Sequence, residues 1–257
     1  YLQMADAITR YEALLITARD TEMVSSLLKE RLTEEQMKRV TLFTCDNNDT
    51  WARDVAPISL IANKASKDSS QPLRLLDFCF NGWGEKFAAE KDNRINRQLH
   101  EAGLLQGVLE SHKDFVLEGG SIESDGERTL FTTTSCLMAP HRNQPLTQED
   151  IDKQLRLFFP NVERVIWLDY GQLAGDDTDG HIDTIVRIAP NNTLLYIGCD
   201  DKEDEHYEDF RLLEEQLKQL RTQKGEPYRL LRLPMPDAIY DNDERLPATH
   251  ANFLIIN

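Results

Sequence analysis

Residues 115–133 read Phe115-Val116-Leu117-Glu118-Gly119-Gly120-Ser121-Ile122-Glu123-Ser124-Asp125-Gly126-Glu127-Arg128-Thr129-Leu130-Phe131-Thr132-Thr133. An apolar strand runs into a carboxylate and two glycines. Two further strand-like runs follow, near Ser121 to Glu123 and Thr129 to Thr133. The turn joining them, Ser124-Asp125-Gly126-Glu127, is too short for a crossover, so they must pair antiparallel. Working outward, the same order of helix, strand, polar motif, strand, strand recurs on both sides. Upstream, Asp20 and Thr21 cap a helix to about Leu32, with Met23, Val24, Leu27, Leu28 and Leu32 at helical spacing. The strand Val40 to Thr44 and the polar run Asp46 to Asp54 follow. Strands near Val55 to Ile61 and Leu73 to Phe78 come next, joined by a Lys/Ser loop. A helix from Asp92 to about Gly103 then leads into the strand at Phe115.

Downstream, Thr147 caps a helix to Phe158, and a strand at Arg164 to Leu168 precedes the acidic run Asp176-Asp177-Thr178-Asp179-Gly180-His181-Ile182-Asp183. Strands at Thr184 to Ile188 and Thr193 to Gly198 close that unit. A less regular fourth has a helix from about Glu203 to Leu220 and strands at Tyr228 to Leu233 and Ala251 to Ile256. The period is roughly 55 to 75 residues, and units of this kind stack. The class is α/β. A doubly wound parallel sheet is the plain alternative, but the hairpin after each polar motif disfavours it.

With 257 residues, 40% hydrophobic and 29% charged, the chain can bury a sizeable core. Its formal charge of −16 argues against a nucleic-acid partner, which needs a basic surface. It suits solubility or a cationic small substrate. No apolar run is long enough to span a membrane. Cys45, Cys79, Cys136 and Cys199 show no CxxC spacing, so zinc patterns and a disulfide framework are not expected. Reduced cysteines and a cytoplasmic location are the expectation. Tyr1 and Asn257 both read as cut ends, and a homo-oligomer is compatible with the composition.

Four carboxylates and one imidazole crowd residues 176–183. Like charges that close repel, so solvent, a metal or a cationic ligand must offset them. If His181 and Asp183 begin a strand, their spacing points both to one face. A calcium loop needs acids at its first and last places, where Gly175 and Val186 stand instead, so that metal motif fails. Trp51-Ala52-Arg53-Asp54 offers an indole face and a carboxylate, which suit a planar guanidinium; the plainer reading buries Trp51 and pairs Asp54 with an arginine. Glu118-Gly119-Gly120 alone reads as a turn.

Taken together, these motifs carry a resemblance. Trp51-Ala52-Arg53-Asp54-Val55-Ala56-Pro57, Phe80-Asn81-Gly82-Trp83-Gly84-Glu85-Lys86-Phe87, Leu117 to Ile122, Asp177 to Asp183 and Ala251-Asn252-Phe253 resemble, in order, motifs of the agmatine deiminase and bacterial-type peptidylarginine deiminase family. The resemblance implies one pentein domain over 1–257, an α/β propeller of pseudo-fivefold blades, incomplete at both ends. It implies hydrolysis of a guanidinium group to a ureido group and ammonia through a covalent amidino-cysteine, without metal or cofactor. Asp54 and Asp183 would grip guanidinium nitrogens. His181 would protonate the leaving ammonia and then activate water. Trp51, Glu118 and Asp177 would line the substrate, with Glu118 also able to orient His181. The family's nucleophile lies in a late glycine-rich segment ending His-Cys, and none of the four cysteines fits it; Cys136, after Ser135 where the family has Glu, resembles a different stretch. A chain ending at Asn257 is therefore expected to be inactive alone. Agmatine is the leading substrate and a peptidyl-arginine the runner-up. A metal-dependent hydrolase and a non-catalytic guanidinium binder are the readings from other classes.

Overall fold

A computed structural model describes residues 1–61 and 73–256. The Lys/Ser loop expected between the two early strands falls on residues outside these. The chain forms two compact units, one of residues 1–77, 88–110 and 254–257, the other of residues 78–87 and 111–253.

The first unit opens with α1 (Leu2–Thr9), β1 (Leu14–Ala18), α2 (Thr21–Lys29), α3 (Glu34–Met37) and β2 (Val40–Thr44). Asp20 caps α2 as expected, its side chain accepting from the Met23 amide. The helix stops three residues before Leu32, because Thr33 starts α3 with a capping box against Gln36. β1 and β2 pair in parallel. Their alternating side chains serve two cores: Leu14, Ile16 and Leu42 join Ala5, Leu28 and Leu32. Leu15 and Phe43 join Cys45, Ile95 and Leu99. Met23 and Leu27 stay exposed, so only part of the α2 pattern is core.

α4 (Ala52–Val55) and β3 (Ile58–Leu60) follow. Val55 closes the helical turn and does not start the strand, because Ala56 precedes Pro57 and is driven into extended backbone. β4 (Arg74–Cys79) pairs antiparallel with β3. A tight turn, α5 (Gly82–Glu85), then α6 (Asp92–Glu101), lead to β5 (Val108–Val116), the third strand of that sheet.

The second unit repeats the arrangement twice. β6 (Ile122–Ser124) pairs antiparallel with β7 (Thr129–Thr133); α7 (Thr134–Leu137) and α8 (Gln148–Phe158) cross over, and β8 (Arg164–Leu168) lies parallel to β7. β9 (Val186–Ala189) and β10 (Thr193–Gly198) are antiparallel; α9 (Tyr207–Gln219) crosses, and β11 (Arg229–Pro234) is parallel to β10. An antiparallel neighbour needs only a short turn and a parallel one needs a helix, so each sheet has this order. A small hairpin, β12 (Tyr240–Asp241) and β13 (Glu244–Arg245), was not expected. Asn242 and Asp243 at φ 48° and 67° form its turn.

Each polar motif therefore lies where the chain leaves one sheet and enters the next: after β2, after β5 and after β8. Among the described residues, no ladder joins these sheets into a closed barrel. The second unit's core gathers Leu168, Ile182, Ile185, Leu194, Ile197, Phe210, Leu213 and Leu217. Residues 251–256 form no strand. Instead Arg187 Nη1 holds the carbonyls of Ala251 and Phe253 at 3.0 and 2.6 Å, and its Nε pairs with Glu123 at 2.9 Å. Among the described residues, no helix is long and apolar enough to cross a membrane.

Candidate active site

His181 and Asp183 lie on and beside a 3-10 turn, Ile182–Thr184, and not on the expected strand. The alternation that would put both on one sheet face does not apply, yet both are buried, at 2% and 4% exposure. The turn is fastened from its apolar side by Ile182 and Ile185, which sit in the core. Thr184 Oγ1 donates to the His181 carbonyl at 2.7 Å, and Thr249 Oγ1 to the Thr184 carbonyl at 2.6 Å.

Protein groups, rather than solvent alone, offset the acidic run before it. Asp176 Oδ1 accepts from the Thr178 amide and hydroxyl at 2.9 and 2.6 Å, and Oδ2 from the Gly180 amide at 2.7 Å. Asp176 thus folds the loop back on itself. Asp177 is exposed. Asp179 takes Lys86 Nζ on Oδ1 at 2.7 Å and Arg142 Nη1 on Oδ2 at 2.6 Å. Burial raises its pKa, but these two cationic donors outweigh it and hold the carboxyl below the usual range. Gly180 follows at φ 96°, where a Cβ would come within 2.5 Å of Ser135 Oγ, so glycine is required there.

Glu118 meets this loop from the end of β5. Its side chain and that of Arg142 are both fully buried, with Nε 3.2 Å from Oε1. Arg142 Nη2 also donates to the Thr178 carbonyl at 2.7 Å. Asn143 holds the strand just before Glu118, bonding the Val116 amide and carbonyl at 2.9 and 2.8 Å. Glu118, His181 and Cys136 each bring one donor atom within 4.8 Å of the others. These atom types could hold a soft divalent ion, but the Arg142 guanidinium already supplies positive charge to Glu118. Burial pushes the Cys136 thiol well above its ordinary value against the pull of Arg142. A thiol that is protonated and out of reach is a poor nucleophile.

α9 steadies the approach to the loop. Asp209 Oδ2 accepts from the Gly171 and Gln172 amides, both at 2.6 Å, and His206 Nε2 from the Ala174 amide at 2.9 Å. In the first unit, Asp54 is buried on α4 while Trp51 is 58% exposed. The core reading of Trp51 is thereby overturned. α6 anchors this motif: Asp92 Oδ1 accepts from the Asn48 amide at 2.8 Å, and Asn96 Nδ2 donates to the Val55 carbonyl at 2.8 Å.

All of residues 1–257 match the family described as Porphyromonas-type peptidyl-arginine deiminase. The chain belongs to this family. Among solved structures, one from Porphyromonas gingivalis, provisionally named an arginine deiminase, is 48% identical with a TM-score of 0.91; it covers 100% of this chain and 73% of its own. The C. jejuni agmatine deiminase with substrate bound is 36% identical with a TM-score of 0.87, over 100% of this chain and 70% of its own. A relative in Mycoplasma capricolum, provisionally named agmatine deiminase, is 31% identical over 100% of this chain and 72% of its own. The α/β fold read from the repeats is the fold of these deiminases.

Of the residues marked in this deiminase-family chain, Glu118, His181 and Asp183 share the second unit, the first two with donor atoms in mutual reach. Trp51 and Asp54 belong to the first unit. Asp177 presents only its carbonyl to Lys86, at 2.7 Å, from an exposed position. Two residues escaped the sequence reading, Arg142 and the electrostatic part of Lys86. The signal for them was indirect: so many carboxylates in eight positions call for nearby cations, but nothing in the pattern says which.

Proposed function

We propose that the protein hydrolyses the guanidinium group of agmatine, giving N-carbamoylputrescine and ammonia, a step toward putrescine. The observation that carries this reading is the buried Glu118–His181 pair in a chain aligned along its whole length with a substrate-bound agmatine deiminase. In the scheme, a cysteine thiolate, which the family resemblance assigns to a glycine-rich segment ending His-Cys, attacks the guanidinium carbon. His181 gives a proton to the departing nitrogen, which leaves as ammonia, and then takes one from the water that attacks the amidino-thioether. That second attack forms the ureido carbonyl and returns the thiolate. Asp54 and Asp183 grip the cation and keep its charge on the nitrogens they face. Glu118, fixed by Arg142, orients His181. Trp51, exposed, offers its ring to the substrate, and Asp177 contributes negative charge at the rim. The family's own description favours a second reading, with an arginine side chain in a polypeptide as substrate.

The test is ammonia and ureido-product release by the full-length protein from agmatine and from an arginine-containing peptide, side by side and with chelator present. Turnover of agmatine that survives the chelator is expected. His181→Gln should lose about 10²–10⁴-fold in kcat. No product from either substrate, or normal turnover in His181→Gln, would defeat the reading; preference for the peptide would select the second one.

A further inference from the structure

Lys86 and Arg142 come from different segments and converge on one loop. Each donates to a main-chain carbonyl, Lys86 to that of Asp177 and Arg142 to that of Thr178, both at 2.7 Å. They also divide the carboxylate of Asp179, one oxygen each. The loop they hold needs such support. Asp179 sits at φ 63°, a left-handed backbone that is unfavourable for a residue with a side chain. Asp176, Asp177 and Asp179 repel one another within it. Its last bond is from the His181 amide to Thr178 Oγ1 at 3.0 Å, so a shift at residues 177–179 carries straight into His181.

We propose that Lys86 and Arg142 are positioning residues, a two-cation clamp on residues 177–179 that sets where the His181 imidazole stands relative to Glu118. Arg142 is the keystone, since its planar fork bridges Glu118, Asp179 and the Thr178 carbonyl at once. A lysine there could keep the charge but could not reach three acceptors. Lys86, whose side chain is 37% exposed, works from the solvent side with a single point charge. The role rests on the deiminase reading given above, because that reading makes His181 the proton carrier.

The experiment compares Lys86→Met, Lys86→Arg and Arg142→Lys in the full-length protein, with kcat and KM for agmatine and hydrogen exchange of the Gly180 and His181 amides. Lys86→Met is the decisive variant, because a half-exposed lysine can be replaced without threatening the fold. A misplacement of the imidazole by about 1 Å is expected to lower kcat roughly 10–100-fold. KM should stay within about twofold, since the donors of both cations are given to the loop and Glu118, and the two amides should exchange faster while those of β10 do not change. Lys86→Arg should recover most of kcat, and Arg142→Lys should resemble Lys86→Met. Folded Lys86→Met and Arg142→Lys proteins with wild-type kcat would overturn the clamp, as would a change confined to KM. A wild-type protein that releases no ureido product fails in a different place: it removes the deiminase reading, and the clamp's catalytic role with it.

Discussion

The carboxylates between Asp176 and Asp183 end in four environments. Asp176 binds its own loop, Asp177 faces water, Asp179 is shared by two cations and Asp183 is buried. Residues of one type in one run thus differ in role because their neighbours in space differ. Cys136 shows the same thing. Its sulfur lies within 4.8 Å of a donor atom of Glu118 and of His181 yet is fully buried, and burial pushes its thiol well above the ordinary value. Cys136→Ser should therefore leave kcat within about threefold while lowering stability by roughly 1–3 kcal/mol, because a hydroxyl buried without its own partner is unfavourable. Intact-mass analysis with agmatine should find no amidino adduct on Cys136; an adduct there, or total loss of turnover in the serine variant, would make it the nucleophile after all.

Among elements, α9 does more than cover β10. Phe210, Leu213 and Leu217 fill the core from one face, while His206 and Asp209 hold the loop that leads to residue 176. The start of this helix is tied to the β12–β13 hairpin through Asp204. Its carboxylate takes Arg245 Nη1 and Nη2 at 3.1 and 2.7 Å and the amide and Nδ1 of His206 at 2.9 and 2.8 Å. The Arg245 hydrogen bonds, aided by those of His206 and opposed by burial, hold the Asp204 carboxyl well below the usual range. Its folded pKa is thus lower than its unfolded one, near 3.9. The stabilisation is complete above about pH 5 and fades as the pH falls below about 4 toward the folded value. Asp204→Asn should cost about 1.5–3 kcal/mol in urea unfolding at pH 7. The gap to wild type should narrow at pH 3, and a gap that stays constant across that range would mean that the carboxylate charge is not what matters.

For the molecule as a whole, a charge of −16 over 257 residues sets a field that draws cations. If the substrate is a small guanidinium cation, kcat/KM should fall several-fold between about 0.01 and 0.5 M salt, as the Debye length shrinks from about 30 Å to a few ångströms. The loss should lie in KM, with kcat flat; salt-independent kcat/KM would show that bulk charge serves solubility alone.

Much of this architecture is legible in the chain. The strands at Val40, Arg164 and Thr193 are found where alternation puts them, and Thr147 and Asp20 cap their helices as side-chain chemistry predicts. The hairpin at residues 124–127 follows from its length and glycine. The errors are also local in origin. Residues 251–256 look like a strand, but Arg187, held in place by Glu123, takes the carbonyls of Ala251 and Phe253 first. Residues 181–183 look like a strand start, but the side-chain bonds of Thr178 and Thr184 wind them into a turn. The sequence by itself determined the repeating units and the place of each polar motif at the exit from a sheet, since these depend on near neighbours and backbone preference. Only the tertiary structure decided which cation answers which carboxylate. Lys86 and Asp179 are 93 positions apart, and Arg142 and Glu118 are 24 apart; such pairings exist only once packing has closed the loops between them.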